Sequence, residues 1–261
     1  MGETRMTSVR EIYRYIDSFA PFHTQMSFDN CGLQAGNADA EVHTALLALD
    51  ITPGVVQEAA KRSAQLIVSH HPVIFNPLRS LMAGTAPYLL AQYGIAAICA
   101  HTNLDLAPGG VNTCLAARLG LTDIKTLAAD EASGLPAALF GRTEHSFSPA
   151  EFAGLVKKRL GCDGLFYTDG KKPVETVGLC SGAGSDYLRP AAGRGCQAFV
   201  TGEAKHHEMI EAENLGITLV AAGHYFTEDV VIEPLLERLS GQFPQVAFLR
   251  AESSHCPVKC I

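Results

Sequence analysis

The chain lacks any segment built to cross a membrane, and nothing at its start reads as an export signal. No run approaches the roughly 20 consecutive apolar residues that a bilayer span needs. The first twenty residues show no apolar core behind a basic start. A basic block is also missing. Lys plus Arg number 20 against 27 Asp plus Glu, a net charge of −7, and the densest cationic stretch, Lys157-Lys158-Arg159, reads as a solvated helix face. Nucleic-acid binders ordinarily carry a basic patch, so that class of partner is disfavoured. None of the eight cysteines forms a C-x-x-C pair. Several, such as Cys99 and Cys180, sit in apolar segments and read as small buried thiols of a reducing cytosol. His255, Cys256 and Cys260 have metal-ligand chemistry, but at a C-terminus a frayed tail is the simpler reading. No tandem repeat or low-complexity segment interrupts the chain.

What is present describes a folded, core-forming protein. The 261 residues, 47% hydrophobic and 18% charged, suffice for one large domain or two modest ones. Short apolar runs alternate with helical patterns, which predicts α/β architecture with crossover connections and parallel or mixed sheets. Strands are expected over 44–49, 65–69, 96–100, 176–180, 197–201 and 218–222. Helices are expected over 8–19, 54–62, 86–93, 110–119, 150–160, 206–214 and 228–239. The stretch 122–143 is rich in Ala and Gly with weak periodicity, and Asp130-Glu131-Ala132-Ser133-Gly134 reads as a loop. It is taken as a crossing, so that 1–122 with 219–261 forms a metal-binding lobe and 123–218 a second lobe.

The chemistry concentrates at strand ends, where ligands collect in sheets of this kind. Leu66-Ile67-Val68-Ser69 runs straight into His70-His71-Pro72. Neutral imidazole is the commonest side-chain metal ligand near neutral pH, and two neighbours can serve one ion or two. The strand before Cys99 leads to His101 and then to Asp105 in the following loop. Asp105 alone reads as a turn residue, and His101 as a hydrogen-bonded strand end. The strand before Ala222 leads to His224, with Glu228 four residues later. Thr227 is expected to N-cap the next helix, which would make Glu228 a first-turn acid. Together, three imidazoles and two carboxylates can hold two divalent metals if one carboxylate bridges, and metals lower the pKa of bound water. Nitrogen and oxygen donors without thiolate leave zinc, iron, manganese and nickel open.

Two further segments could serve a substrate. Phe199-Val200-Thr201-Gly202-Glu203-Ala204-Lys205-His206-His207 reads as a strand, a tight turn and a helix. Adjacent helical residues point about 100° apart, so His206 and His207 cannot easily both ligate one ion. His206 or His101 is the candidate proton shuttle or outer support. Ser181-Gly182-Ala183-Gly184-Ser185 could present amides to an anion, though it lacks dinucleotide or P-loop spacing and reads more simply as a turn. Gly182, Gly184, Ser185 and Lys205 are the candidate substrate contacts.

Six stretches, in this order, closely resemble the GTP cyclohydrolase 1 type 2 homologs, the NIF-three-like family. They are Ser27-Phe28-Asp29-Asn30-Cys31-Gly32-Leu33-Gln34, Val68-Ser69-His70-His71-Pro72, His101-Thr102-Asn103-Leu104-Asp105, Ser181-Gly182-Ala183-Gly184-Ser185, Thr201-Gly202-Glu203-Ala204-Lys205-His206-His207 and Gly223-His224-Tyr225-Phe226-Thr227-Glu228. Cys31 departs from the small apolar residue expected before Gly32. The resemblance implies two interlinked α/β lobes with mixed sheets and a dinuclear divalent-metal centre held by His70, His71, Asp105, His224 and Glu228, with Glu228 as the bridge. It further implies a ring-shaped cytoplasmic homohexamer whose metal sites face the interior. The function it implies is metal-dependent hydrolysis of a nucleotide-like substrate, GTP ring opening being the specific form. The alternative is a non-enzymatic protein that stores, delivers or senses metal.

Overall fold

The computed structural model describes residues 6–261. The chain opens with β1 (Thr7–Ser8), α1 (Val9–Phe19), β2 (Gly32–Ala35), β3 (Glu41–Val42), β4 (Thr44–Ala48), α2 (Pro53–Lys61), β5 (Leu66–Ser69), α3 (Ala86–Tyr93) and β6 (Ala96–Cys99). It continues through α4 (Thr102–Leu106), α5 (Val111–Arg118), β7 (Thr122–Ala129), β8 (Pro136–Phe147), α6 (Pro149–Leu160), β9 (Phe166–Tyr167), β10 (Val174–Leu179) and α7 (Leu188–Gly193). Then come β11 (Ala198–Thr201), α8 (His206–Leu215), β12 (Thr218–Ala221), α9 (His224–Glu228), α10 (Ile232–Gln242) and β13 (Ala247–Arg250). The elements form two compact units, Met1–Leu104 with Ile232–His255, and Asp105–Val231 with Cys256–Ile261.

Unit 1 is built on a five-stranded sheet in the order β13-β4-β5-β6-β2. Its strands are parallel except β2, which runs antiparallel to β6. The residues of β5 and β6 are buried throughout, as expected where both faces of a parallel sheet are covered. Leu46, Ile67 and Ala97 meet Val55, Val56 and Ala59 of α2 and Leu89 and Leu90 of α3. The register pairs Ala48 with Ser69 and Ser69 with Cys99. The carboxyl ends of β4, β5 and β6 therefore lie side by side, and the residues just beyond them share one sheet edge.

Unit 2 carries a six-stranded sheet, β7-β8-β10-β11-β12-β9, whose centre β10-β11-β12 is parallel. Phe152 and Val156 of α6 pack on Val177, Val200 and Val220. Leu188 and Ala191 of α7 and Ala212 of α8 pack with Phe199 and Leu219. The carboxyl ends of the three parallel strands again align, with Leu179 opposite Val200 and Thr201 opposite Ala221.

All six expected strands form, with ends shifted by a residue or two. Three expectations need correction. The stretch 122–143 is not a linker but the hairpin β7–β8. Only its tip is the expected loop, closed by Asp130 accepting from the Ser133 amide at 2.8 Å and hydroxyl at 2.7 Å. Because β7 is largely exposed, burial imposes no apolar alternation on it. The lobe boundaries also move. The chain leaves unit 1 at Leu104 and returns at Ile232. Leu115, Ala116 and Leu119 belong to the core of unit 2, and β12 pairs with β11. The three ligand-bearing strand ends accordingly belong to two sheets. Finally, the helix expected over 228–239 is divided. α9 ends at Glu228, a 3-10 turn covers Asp229–Val231, and α10 starts at Ile232. Thr227 is thus inside α9, its hydroxyl bonded to the His224 carbonyl at 2.9 Å, and Glu228 is not a first-turn acid. Among the described residues no helix is long and apolar enough to cross a membrane.

Candidate metal centre

In unit 1 the strand ladder continues past β5, with the His70 amide donating to Ala48 and the His71 amide to Leu49. The Ser69 hydroxyl donates to the His71 carbonyl at 2.8 Å and holds the turn. The His70 side chain is fully buried, with Nδ1 2.9 Å from the Ala100 carbonyl. His71 Nδ1 lies 2.7 Å from Asp50 Oδ1. His101, just past β6, places Nδ1 2.9 Å from Asp29 Oδ1. Ring centroids are 5.0 Å apart for His70 and His71, 5.1 Å for His70 and His101, and 5.5 Å for His71 and His101. Each of the three offers a ring nitrogen, all within 4.8 Å of one another.

One feature of this arrangement decides the chemistry. A carbonyl or carboxylate oxygen can only accept, so a neutral imidazole placed there carries its proton on Nδ1, the tautomer in which Nε2 can ligate a metal. The same outer support orients histidine ligands in metalloproteins generally. Asp29 is held for this role. Burial opposes its ionisation, but bonds from His101 and Thr102 outweigh that and keep the carboxyl well below the usual range.

Unit 2 presents a different set. Gly223, at φ +91°, turns the chain from β12 into α9. His224 and Glu228 then sit one helical turn apart, with Nε2 3.0 Å from Glu228 Oε2. His224 Nδ1 is held by Glu203 Oε1 at 2.9 Å, repeating the unit 1 pattern. Glu228 is only 4% exposed. Asp105, in α4, brings a carboxylate oxygen within 4.8 Å of one from Glu228. Two carboxylates so close repel, and a cation between them relieves the repulsion. The nearby Cys180 thiol registers this charge: burial first, then Asp105 and Glu228, push its pKa far up.

The turn 181–185 makes room for this set. A Cβ on Gly182 would lie 2.1 Å from Glu228 Oε1 and 3.2 Å from His224 Nε2, and φ there is +57°. The Gly182 amide donates to Thr227 and the Gly184 amide to Thr201, each at 3.1 Å. Both groups are already engaged inside the protein, so the anion-cradle reading of Gly182 and Gly184 gives way to a structural one. Asn112 ties the turn down, accepting from the Ser181 amide at 2.9 Å and donating to the Ala137 carbonyl at 3.2 Å. Ser185, Lys205 and His224 border a cavity of about 870 Å³ in unit 2. His206 and His207 are exposed on α8 and do not line it.

The structure thus groups His70, His71 and His101 in one unit and Asp105, His224 and Glu228 in the other. Asp50 and Asn112 carry no motif and were not singled out from sequence, while Asp29 and Glu203 entered only as parts of longer stretches. The usable signal was position: Asp50 follows β4, the strand paired with the one that ends in the histidines.

The chain is 31% identical to a GTP cyclohydrolase 1 type 2 homolog of Campylobacter jejuni over 227 residues, covering 84% of this chain and 86% of that protein. A protein of the same description from Clostridium acetobutylicum is 28% identical over 241 residues, covering 89% and 90%. The crystal structure of the Staphylococcus aureus hypothetical protein SA1388 superposes with a TM-score of 0.92 at 27% identity, covering 98% of this chain and all of that one. Residues 7–257 match the family described as Duf34/NIF3 (NGG1p interacting factor 3), and the chain belongs to that family.

Proposed function

We propose that the protein binds two divalent metal ions through His70, His71, Asp105, His224 and Glu228, with Glu228 bridging, and acts as a metal-dependent hydrolase of the GTP cyclohydrolase type on a nucleotide-like substrate. The observation that carries this reading is the common state of four imidazoles. His70, His71, His101 and His224 each have Nδ1 beside an oxygen acceptor, which favours the tautomer able to ligate through Nε2, and in His224 that Nε2 lies 3.0 Å from Glu228 Oε2. The carboxylates of Asp105 and Glu228 add the negative charge that two cations need. This nitrogen and oxygen set fits zinc, iron, manganese or nickel. When bound, such metals supply Lewis acidity that makes water nucleophilic near neutral pH.

The chain's own residues would handle protons and orientation. His101, backed by Asp29, is better placed than the exposed His206 to hold or pass a proton beside His70 and His71. Asp50 and Glu203 keep His71 and His224 in the ligating tautomer. The names of the relatives support the reaction type, and a cytoplasmic homohexamer, implied only by the resemblance in sequence motifs, is the working assembly.

Mass spectrometric metal analysis of the purified protein tests the proposal. About two divalent ions per chain in the wild type, lost in the His71→Ala/Glu228→Ala double variant, are expected. Absence of metal after loading and gentle desalting defeats the reading. Metal-loaded protein should then open GTP. Rapid, reversible metal exchange without any turnover would leave a metal-handling protein instead.

A further inference from the structure

The C-terminal tail brings a second cysteine to the turn that follows α6, at one wall of the unit 2 cavity. The chain leaves α6 at Gly161, with φ +68°, and enters Cys162-Asp163-Gly164-Leu165. The tail 256–261 belongs to the same unit. Gly164 and Leu165 from the turn, and Cys256, Val258 and Cys260 from the tail, line the cavity that His224 borders. The two segments meet at Gly164. A Cβ built there would stand 3.0 Å from Cys260 Sγ and 3.5 Å from Cys260 Cβ, so the bare glycine makes room for the cysteine. Cys162, two residues earlier, is buried, with its thiol 3.8 Å from the Lys157 carbonyl. Burial pushes the Cys162 thiol up, and charge on Cys260 pushes it the same way, so the two sulfurs lie within electrostatic reach. Cys260 is exposed. Residues 254–261 form neither helix nor strand, so no regular backbone bonding fixes the tail in register.

We propose that Cys162 and Cys260 form an oxidative modification site, in which hydrogen peroxide links them as a disulfide that fastens the tail as a fixed wall of the cavity beside His224. The exposed Cys260 thiol reacts first. Its sulfur attacks the peroxide: an S–O bond forms, the O–O bond breaks, and water leaves with the thiol proton. The Cys162 sulfur then attacks the Cys260 sulfenic acid. The S–S bond forms, the S–O bond breaks, and the departing hydroxide takes the Cys162 proton as a second water. The two thiols lose two electrons and the peroxide gains them. A dithiol reductant reverses the bond, as for redox-sensing disulfides of reducing compartments. The site works in the same way whether or not the protein binds metal.

Peptide mapping of the full-length protein, reduced, desalted and treated with hydrogen peroxide, tests the site. A linked pair of peptides carrying Cys162 and Cys260 is expected, with an intact mass lower by two hydrogens. Cavity access is read from iodoacetamide labelling of Cys256, which should slow about tenfold on oxidation and recover with dithiothreitol. Cys260→Ser alters only an exposed side chain and should abolish both the link and the slowing. Cys162→Ser provides the same check from the buried side. Sulfinic acid on Cys260 without a bond, a link between Cys256 and Cys260, or a link between two chains overturns the proposal. A bond between Cys162 and Cys260 that leaves Cys256 labelling unchanged overturns its role at the cavity.

Discussion

The ligand sets of the two units reach the same end by different means. In unit 1 two adjacent histidines follow β5 and a third follows the neighbouring parallel strand β6, with ring centroids 5.0–5.5 Å apart. In unit 2 one histidine and one glutamate share a single helical turn, and glycines clear the space around them. The first arrangement is held by many backbone bonds and a buried core. The second depends on a few close approaches. Substitutions should therefore damage the two sets through different positions and to different degrees.

The sharpest test is Gly182→Ala. A left-handed φ costs an ordinary residue roughly 1–2 kcal/mol, and the forced contact with Glu228 adds about 1–3 more. Thermal unfolding should show this loss, and metal analysis should show the Glu228 side emptied first. A wild-type-like melting temperature and metal content would mean that the turn yields easily and that the contrast between the units is false.

Next in size are the acceptors behind the histidines. Asp50→Asn and Glu203→Gln should each weaken metal binding by about 10–100-fold, measured by competition with a chelator, because the imidazole loses its fixed orientation. If unit 1 is indeed the more rigid, Asp50→Asn will show the smaller loss. Equal losses would erase that distinction.

A smaller effect concerns pH and stability in unit 1. Burial opposes the ionisation of Glu58, but amides of Ser253 and Glu252, together with Arg62, hold its carboxyl below the usual range. A depressed carboxyl stabilises the fold above the ordinary glutamate pKa, and that contribution fades as pH falls through the folded value. Glu58→Gln should therefore cost about 1 kcal/mol at pH 7. The gap to wild type, followed by thermal melts, should close on acidification. A gap that stays constant with pH would assign the effect to packing.

The smallest difference expected is in thiol reactivity. Burial pushes Cys196 up to about 11 and Cys180 further, whereas Cys260 is exposed. Alkylation at pH 8 should label Cys260 within minutes and leave Cys180 and Cys196 untouched until unfolding. Early labelling of Cys180 would show that unit 2 opens locally near Glu228.

Much of the fold was legible because buried parallel strands are continuous apolar runs. Ile67 and Val68, or Phe199 and Val200, have both faces covered and few polar choices. The hairpin β7–β8 was missed for the converse reason, since an exposed edge strand tolerates Lys125 and Thr126 as readily as a loop does. The split of the last helical stretch was missed because the periodicity of 228–239 continues across the 3-10 turn. The metal donors were readable as histidines and acids at strand ends. Their supports were not, because Asp50 stands 21 residues from His71 and Asp29 stands 72 from His101.

Local pattern along the chain was enough for the α/β alternation, the six central strands and the imidazole and carboxylate types at their ends, because apolar runs and residue chemistry are local properties. Folding in three dimensions was needed to set which oxygen holds each Nδ1, to bring Gly182 against Glu228, and to place β12 in the second sheet. Those outcomes depend on register and on close approach between distant segments, which no local pattern encodes.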